Sequence, residues 1–248
     1  MTDLHVVLSL EVMKFGKSLS LLLIGCLWTA GCGGDDGDAG PTCDDPEDLF
    51  PTPVSDSSTP FDGVDDGELF VSFAMGFQFP FFGETYDSLY LNTNGGLTFA
   101  GGAVVSEWDV EATEVDVPAI AVFWGDMDAE GYDADTRPEQ MTYQQCDDRF
   151  IVTYTMFQDY EAEDLNNTAT ATLFDDGTIE VEYGTVLSED ILVGVMDGSH
   201  ADDARPGTPL ESHYDMGDSG TGIILFDDHG SGPTHTGELS ESTIRYVP

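Results

Sequence analysis

Positive charge is almost absent from this chain of 248 residues, which has 6 Lys and Arg against 49 Asp and Glu and a formal net charge of −43. Lys14 and Lys17 are its only lysines. A field this negative repels phosphate, so nucleic acids and anionic membrane surfaces are excluded as partners. The carboxylates either form a solvated coat suited to salty or calcium-rich surroundings, or some of them converge on a metal ion.

Patterns typical of helices, redox centres, zinc sites and hydrolases are also missing. No stretch after residue 32 carries an amphipathic helical stripe with caps, and no C-x-x-C or H-E-x-x-H pair occurs. Residues 217–220 (GDSG) imitate the nucleophile segment of trypsin-like proteases, but Thr221 follows where Gly is expected and no triad partners can be placed. We therefore expect no catalytic residues, although 49 acidic residues always offer carboxylate pairs for a glycan hydrolase.

Residues 1–31 are typical of a secretory signal. Lys14 and Lys17 precede the apolar run 19–28, and small residues lead up to position 31. The run is too short for a membrane-spanning helix, which needs about 20 apolar residues. Because Met13 stands where such a signal naturally starts, we interpret residues 1–12 as a misassigned extension.

Residues 29–32 (TAGC) resemble a bacterial lipobox, in which the cysteine is lipidated and becomes the first mature residue. Thr29 stands where the pattern prefers Leu; residues 23–26 (LIGC) fit better there but leave a short apolar region. We predict lipidation at Cys32, which places the protein in the cell envelope, at the outer membrane or cell surface, and in contact with membrane only through the lipid. An ordinary secreted protein is the alternative.

Residues 32–66 form a flexible acidic linker in this interpretation, because they are rich in Asp, Gly, Pro, Ser and Thr. With Cys26 removed and Cys32 lipidated, Cys43 and Cys146 remain. In an oxidising compartment these two cysteines are expected to form one disulfide that ties the linker to the following domain.

Residues 67–248 change to short apolar runs separated by turn residues. The runs are 69–73, 77–81, 88–91, 97–99, 119–124, 141–143, 150–157, 168–174, 178–183, 191–195, 222–226 and 242–247. Strict alternation in 168–173 and 178–183, joined by Asp176-Gly177, predicts a hairpin, and Asn94-Gly95 predicts another turn. The fold class predicted is all-β, an antiparallel β-sandwich of about ten to twelve short strands.

The order of several blocks resembles a nidogen-like (NIDO) domain over about residues 69–196. The blocks are 77–83 (FQFPFFG), 89–99 (LYLNTNGGLTF), 120–128 (IAVFWGDMD), 149–154 (RFIVTY), 173–180 (LFDDGTIE) and 193–195 (VGV). The resemblance implies an extracellular module of matrix, adhesion or bacterial surface proteins, and it implies no enzyme. Phe77, Phe79 and Phe81 share one face of a strand, so we expect them in the core, with Pro80 near a sheet edge.

The best candidate site is the acidic segment that begins at Asp126. Asp126, Asp128 and Glu130 occupy alternate positions, Gly131 follows at the sixth, and Asp133 is near, as in a calcium loop. Arg137 stands at the twelfth position, where an EF-hand needs Glu, so an EF-hand is rejected. A calcium site in a β-sandwich, formed by Asp126, Asp128, Glu130 and Asp133, and a solvated acidic loop remain the two alternatives.

The function that best fits these patterns is non-catalytic. We expect a surface lipoprotein whose NIDO-like domain binds extracellular protein or polysaccharide in adhesion, assisted by calcium and by no other cofactor. A secreted hydrolase that acts through its acidic loops and a structural coat component are the alternatives.

Overall fold

The computed structural model describes residues 42–48, 67–74, 76–99, 115–128, 140–159, 162–188, 191–199, 213–216, 222–227 and 239–248. All of them belong to one compact unit, Ala39–Pro248. Their regular structure consists of β-strands, and they contain no helix with the length and apolar character needed to cross a membrane.

Sixteen strands occur in the described residues. They are β1 (Glu47–Asp48), β2 (Glu68–Ser72), β3 (Phe79–Phe81), β4 (Glu84–Tyr86), β5 (Ser88–Asn92), β6 (Gly96–Thr98), β7 (Ala119–Trp124), β8 (Met127–Asp128), β9 (Gln140–Gln145), β10 (Arg149–Asp159), β11 (Ala162–Phe174), β12 (Ile179–Tyr183), β13 (Leu192–Met196), β14 (His213–Asp215), β15 (Gly222–Asp227) and β16 (Thr243–Val247).

The strands form two large sheets and one separate hairpin. The eight-stranded sheet has the order β1-β9-β10-β11-β12-β16-β14, with β8 paired to β10 beside this path, and the six-stranded sheet has the order β15-β13-β7-β6-β5-β2. The hairpin consists of β3 and β4. Among these strands only β14 and β16 pair in parallel, so the sheets are overwhelmingly antiparallel.

The main core lies between the two large sheets. It receives alternate residues from each, because successive side chains of a strand point to opposite faces. Leu89, Leu91, Ile120 and Val122 come from the six-stranded sheet, and Phe150, Val152, Ala171, Leu173, Val181 and Ile244 come from the eight-stranded sheet; all belong to one buried cluster. The predicted all-β sandwich is therefore confirmed.

The aromatic block at residues 77–81 fills part of this core, as predicted. Phe77, Phe79 and Phe81 are all buried, and the rings of Phe79 and Phe81 lie 5.3 and 5.0 Å from the ring of Phe99. Pro80 is only half-buried and lies in the two-stranded hairpin, where a missing amide hydrogen is tolerated.

All twelve predicted runs contribute to strands, but the structure has four strands more. β1, β4, β8 and β14 are two or three residues long. A segment so short cannot show the alternation that identifies a half-buried strand. β10 and β11 are also longer than the short strands predicted, with 11 and 13 residues, because their pairing continues through two register shifts.

The two predicted turns are present. Gly177 has a φ of 86°, and the backbone N–H of Thr178 donates to Asp176 Oδ1 at 2.9 Å between β11 and β12. Gly95 has a φ of 87° between β5 and β6. Glycine adopts these positive angles without the steric cost that a side chain would add.

The predicted disulfide between Cys43 and Cys146 is also present, with a sequence separation of 103. It lies where β1 joins the edge of the eight-stranded sheet beside β9. Tyr143 donates its hydroxyl hydrogen to Glu47 Oε2 at 2.5 Å, and burial together with this bond raises the pKa of Tyr143 to about 12. Part of the predicted linker thus forms a strand on the sandwich.

Candidate functional site

A buried polar turn, Asn92 to Gly96, lies at one end of the six-stranded sheet. Asn92, Thr93 and Asn94 are all buried although they are polar. Asn92 Oδ1 accepts a hydrogen bond from the backbone N–H of Asn94 at 2.6 Å, and Thr93 Oγ1 accepts one from the backbone N–H of Gly67 at 2.8 Å. These bonds offset the cost of removing polar groups from water.

The same turn holds the start of the acidic segment. The carbonyl oxygen of Asn94 accepts a hydrogen bond from the N–H of Gly125 at 3.1 Å, and Asn94 Oδ1 accepts one from the N–H of Met127 at 3.2 Å. Asp126 stands between these two anchored residues and is half-buried. Its backbone is therefore fixed from both sides.

Glycine is required in this turn by close packing. A Cβ atom on Gly96 would lie 2.7 Å from the indole of Trp124, and one on Gly95 would lie 2.8 Å from the ring of Phe123. Real Cβ atoms do not approach other atoms so closely. The two glycines allow the turn to lie directly against the end of β7.

A third buried amide, that of Asn167, supports the segment from the eight-stranded sheet. Asn167 Nδ2 donates to Ser188 Oγ at 2.7 Å and to the carbonyl oxygen of Phe157 at 3.2 Å, and it lies 3.4 Å from Met127 Sδ. Its Oδ1 accepts hydrogen bonds from the N–H groups of Leu187 and Ser188. Met127 is buried between the two supports, which fixes β8 in the sandwich.

Two acidic segments meet here that are far apart in the sequence. The backbone of Asp128 pairs with Gln158, and that of Met127 pairs with Asp159 at the end of β10. We call Asp126, Asp128 and Asp159 the acidic end.

The four predicted calcium ligands divide between described and undescribed parts of the chain. Asp126 and the backbone of Asp128 belong to the acidic end, whereas Glu130 and Asp133 lie outside the described residues. The described part contains no group of three or more His, Cys, Asp or Glu arranged to hold a metal ion. The calcium site therefore stays a prediction. The predicted lipidation site Cys32, the predicted signal and the segment 217–220 also lie outside the described residues.

A family model described as NIDO related matches residues 50–209, well over half of the chain. The chain belongs to the NIDO-related family. The match contains the whole region 69–196 for which the sequence predicted a nidogen-like domain, and it includes the buried turn and the acidic end. Domains of this kind are extracellular modules. Comparisons with curated proteins and with solved structures gave no match.

The buried amides of the NIDO-related domain are the part of this candidate site that the sequence patterns did not indicate. Asn94 was assigned only to a turn, since its contacts with Gly125 and Met127 join segments that are distant in the sequence. Asn167 had one signal, because asparagine is disfavoured inside a strand such as β11. A polar residue in that position indicates either exposure or a buried hydrogen-bonding role.

Proposed function

We propose that this NIDO-related domain is a non-catalytic adhesion module of a lipid-anchored envelope protein, and that calcium at the acidic end assists its binding to extracellular protein or polysaccharide. The observation that carries the proposal is the pairing of β8 with β10, which places the backbone of Asp128 opposite Gln158 and that of Met127 opposite Asp159, directly after Asp126. Oxygen ligands from several short segments are what a calcium ion takes up.

The buried amide supports favour this proposal over a purely solvated loop. Asn94 and Asn167 hold both sides of β8, so the carboxylate-bearing backbone is ordered before any ligand binds. A site whose backbone is already ordered loses less conformational entropy on binding. The net charge of −43 adds a general attraction for cations.

Attachment to coated surfaces tests the adhesion function. Beads carrying the full-length protein are applied to gelatin, chitin and albumin in millimolar calcium, and in magnesium at the same ionic strength. We expect attachment to gelatin or chitin above albumin in calcium, and its loss when Asp126→Asn and Asp128→Asn are combined.

The matched control removes two carboxylates elsewhere, through Glu84→Gln and Glu182→Gln on exposed positions of β4 and β12. This control is expected to attach like the wild-type protein. Attachment that never exceeds albumin, or that is unchanged by the Asp126 and Asp128 substitutions, would contradict calcium-assisted adhesion.

A further inference from the structure

The outer face of the six-stranded sheet is buried on β6, β7 and β13 and is open to solvent on β2 and β5. A row of paired residues crosses it from Phe70 through Tyr90, Thr98 and Ala119 to Met196. Thr98, Ala119 and Met196 are buried, Tyr90 is half-buried, and Phe70 is 53% exposed. The open part of this face is therefore two strands wide, on β2 and β5.

Phe70 and Tyr90 form an exposed aromatic pair on these two strands. Their ring centroids are 5.1 Å apart with an interplanar angle of 56°. Phe70 and Leu187 are the exposed large hydrophobic residues in the described part of the chain. A single exposed apolar residue is ordinary, but this ring is held beside a second one by direct strand pairing, so the pair presents a fixed π surface.

Carboxylates lie at both ends of the aromatic pair. Glu68 precedes Phe70 by two residues on β2 and thus shares its face. No described residue donates a hydrogen bond to its carboxylate, and burial raises the pKa of Glu68. On β5, Ser88 donates its hydroxyl hydrogen to Asp87 Oδ1 at 3.1 Å. We call Glu68, Phe70, Asp87, Ser88 and Tyr90 the aromatic strip.

We infer that the aromatic strip binds arginine or lysine side chains of a basic polypeptide. Such a cation is attracted to the ring faces and forms an ion pair with the carboxylate of Glu68, which lacks a cationic neighbour in the described structure. Charge complementarity selects this partner, because a chain with a net charge of −43 attracts basic segments and repels acidic polymers. The inference rests on the proposed surface-binding function and gives that function a partner chemistry.

Peptide binding to the full-length protein in mild detergent tests the inference. The probe is a labelled nonapeptide of alternating arginine and threonine, and binding is measured by fluorescence anisotropy at physiological salt. A peptide with citrulline in place of arginine keeps the shape and removes the charge. We expect the arginine peptide to bind at least about tenfold more tightly than the citrulline peptide.

Substitutions in the strip separate local recognition from diffuse attraction. Phe70→Ala and Glu68→Gln are each expected to weaken binding of the arginine peptide by about three- to tenfold, while Phe70→Trp keeps it. Glu182→Gln, which removes one charge from the other sheet, is expected to leave binding unchanged. Circular dichroism of each variant checks that the fold is intact.

Two results would overturn the inference. One is that Phe70→Ala and Glu182→Gln weaken binding of the arginine peptide equally, or that neither substitution weakens it. Either outcome means that only the net charge attracts the peptide. The other is equal binding of the citrulline peptide or stronger binding of the neutral oligosaccharide chitohexaose, which assigns the strip to another ligand. Surface attachment by a wild-type protein that fails to bind the arginine peptide rejects this inference alone and leaves the adhesion function standing.

Discussion

The hydroxyl group of Tyr183 on β12 donates a hydrogen bond of 2.8 Å to the carbonyl oxygen of Val122 on β7, in the opposite sheet. Tyr154 on β10 makes a similar bond of 3.3 Å to the carbonyl oxygen of Asn92 on β5. Burial raises the pKa of both tyrosines well above the ordinary range, so both stay neutral donors. The two sheets are therefore joined by directional bonds as well as by apolar packing.

Removing the Tyr183 hydroxyl tests the importance of this link. Tyr183→Phe leaves the buried carbonyl oxygen of Val122 without that donor, so we expect a loss of about 1–3 kcal/mol in the free energy of unfolding, measured by urea denaturation. Tyr246→Phe is the matched control, because the Tyr246 hydroxyl is buried and has no hydrogen-bond partner among the residues that the structure describes. That control is expected to be neutral or stabilising. Equal destabilisation by both substitutions would contradict a specific role for the Tyr183 bond.

Gly96 tests whether the buried turn needs its close approach to Trp124. Gly96→Ala puts a methyl group 2.7 Å from the indole, so we expect a destabilisation of about 1–3 kcal/mol from overpacking. Gly83→Ala serves for comparison, because Gly83 has a φ of 83° but nothing within 4 Å of the added Cβ. Its expected cost is about 1–2 kcal/mol from the backbone conformation alone. A fully stable Gly96→Ala protein would refute the packing of this turn.

Reduction of the disulfide tests how firmly the segment at residues 42–48 stabilises the sandwich. Opening the 103-residue link between Cys43 and Cys146 is expected to lower the free energy of unfolding by up to about 4–5 kcal/mol. Urea denaturation with and without dithiothreitol measures this loss. A variant with Ala at both positions should have the same free energy of unfolding as the reduced wild-type protein. Dithiothreitol should not change that value. A reductant effect that persists in that variant would mean that a disulfide formed by other cysteines is responsible.

Asp176 gives the hairpin turn a defined response to acid. The hydrogen bond from the Thr178 backbone N–H holds the pKa of Asp176 below its ordinary value. Since the folded-state pKa is the lower one, the stabilisation is present above about pH 4 and is lost as the pH falls toward the folded-state value. Asp176→Asn should therefore reduce the loss of stability between pH 5 and pH 3, approximate limits set by the ordinary Asp pKa. An unchanged pH profile would contradict this assignment.

Local patterns were sufficient to predict much of this fold. The alternation of apolar residues in β11 and β12, together with the turn at Asp176-Gly177, was sufficient to predict the hairpin. The pairing of Cys43 with Cys146 followed from the small number of cysteines. The hairpin depends on residues that are close in the sequence. The disulfide joins the two cysteines that remain after Cys26 and Cys32 are assigned to other roles.

The acidic end could not be predicted in the same way. β8 has only two residues, and its pairing with Gln158 and Asp159 is a contact between distant segments that no alternation in either segment specifies. The sequence thus identified Asp126 and Asp128 as candidate ligands. It did not connect them with Asp159, nor with the buried amides of Asn94 and Asn167 that hold β8.

The central claim is that calcium binds at the acidic end. Thermal unfolding of the full-length protein in detergent tests it most directly. The melting temperature is measured with and without millimolar calcium, and with magnesium at the same ionic strength. A native-state site raises stability by about 2.7 kcal/mol at a hundredfold excess over Kd, so we predict a calcium-specific rise in Tm of several degrees. Asp126→Asn combined with Asp128→Asn should abolish the rise, and Glu84→Gln combined with Glu182→Gln should keep it. Equal shifts with calcium and magnesium in all three proteins would show that the cations only screen the negative charge, and would contradict a calcium site at the acidic end.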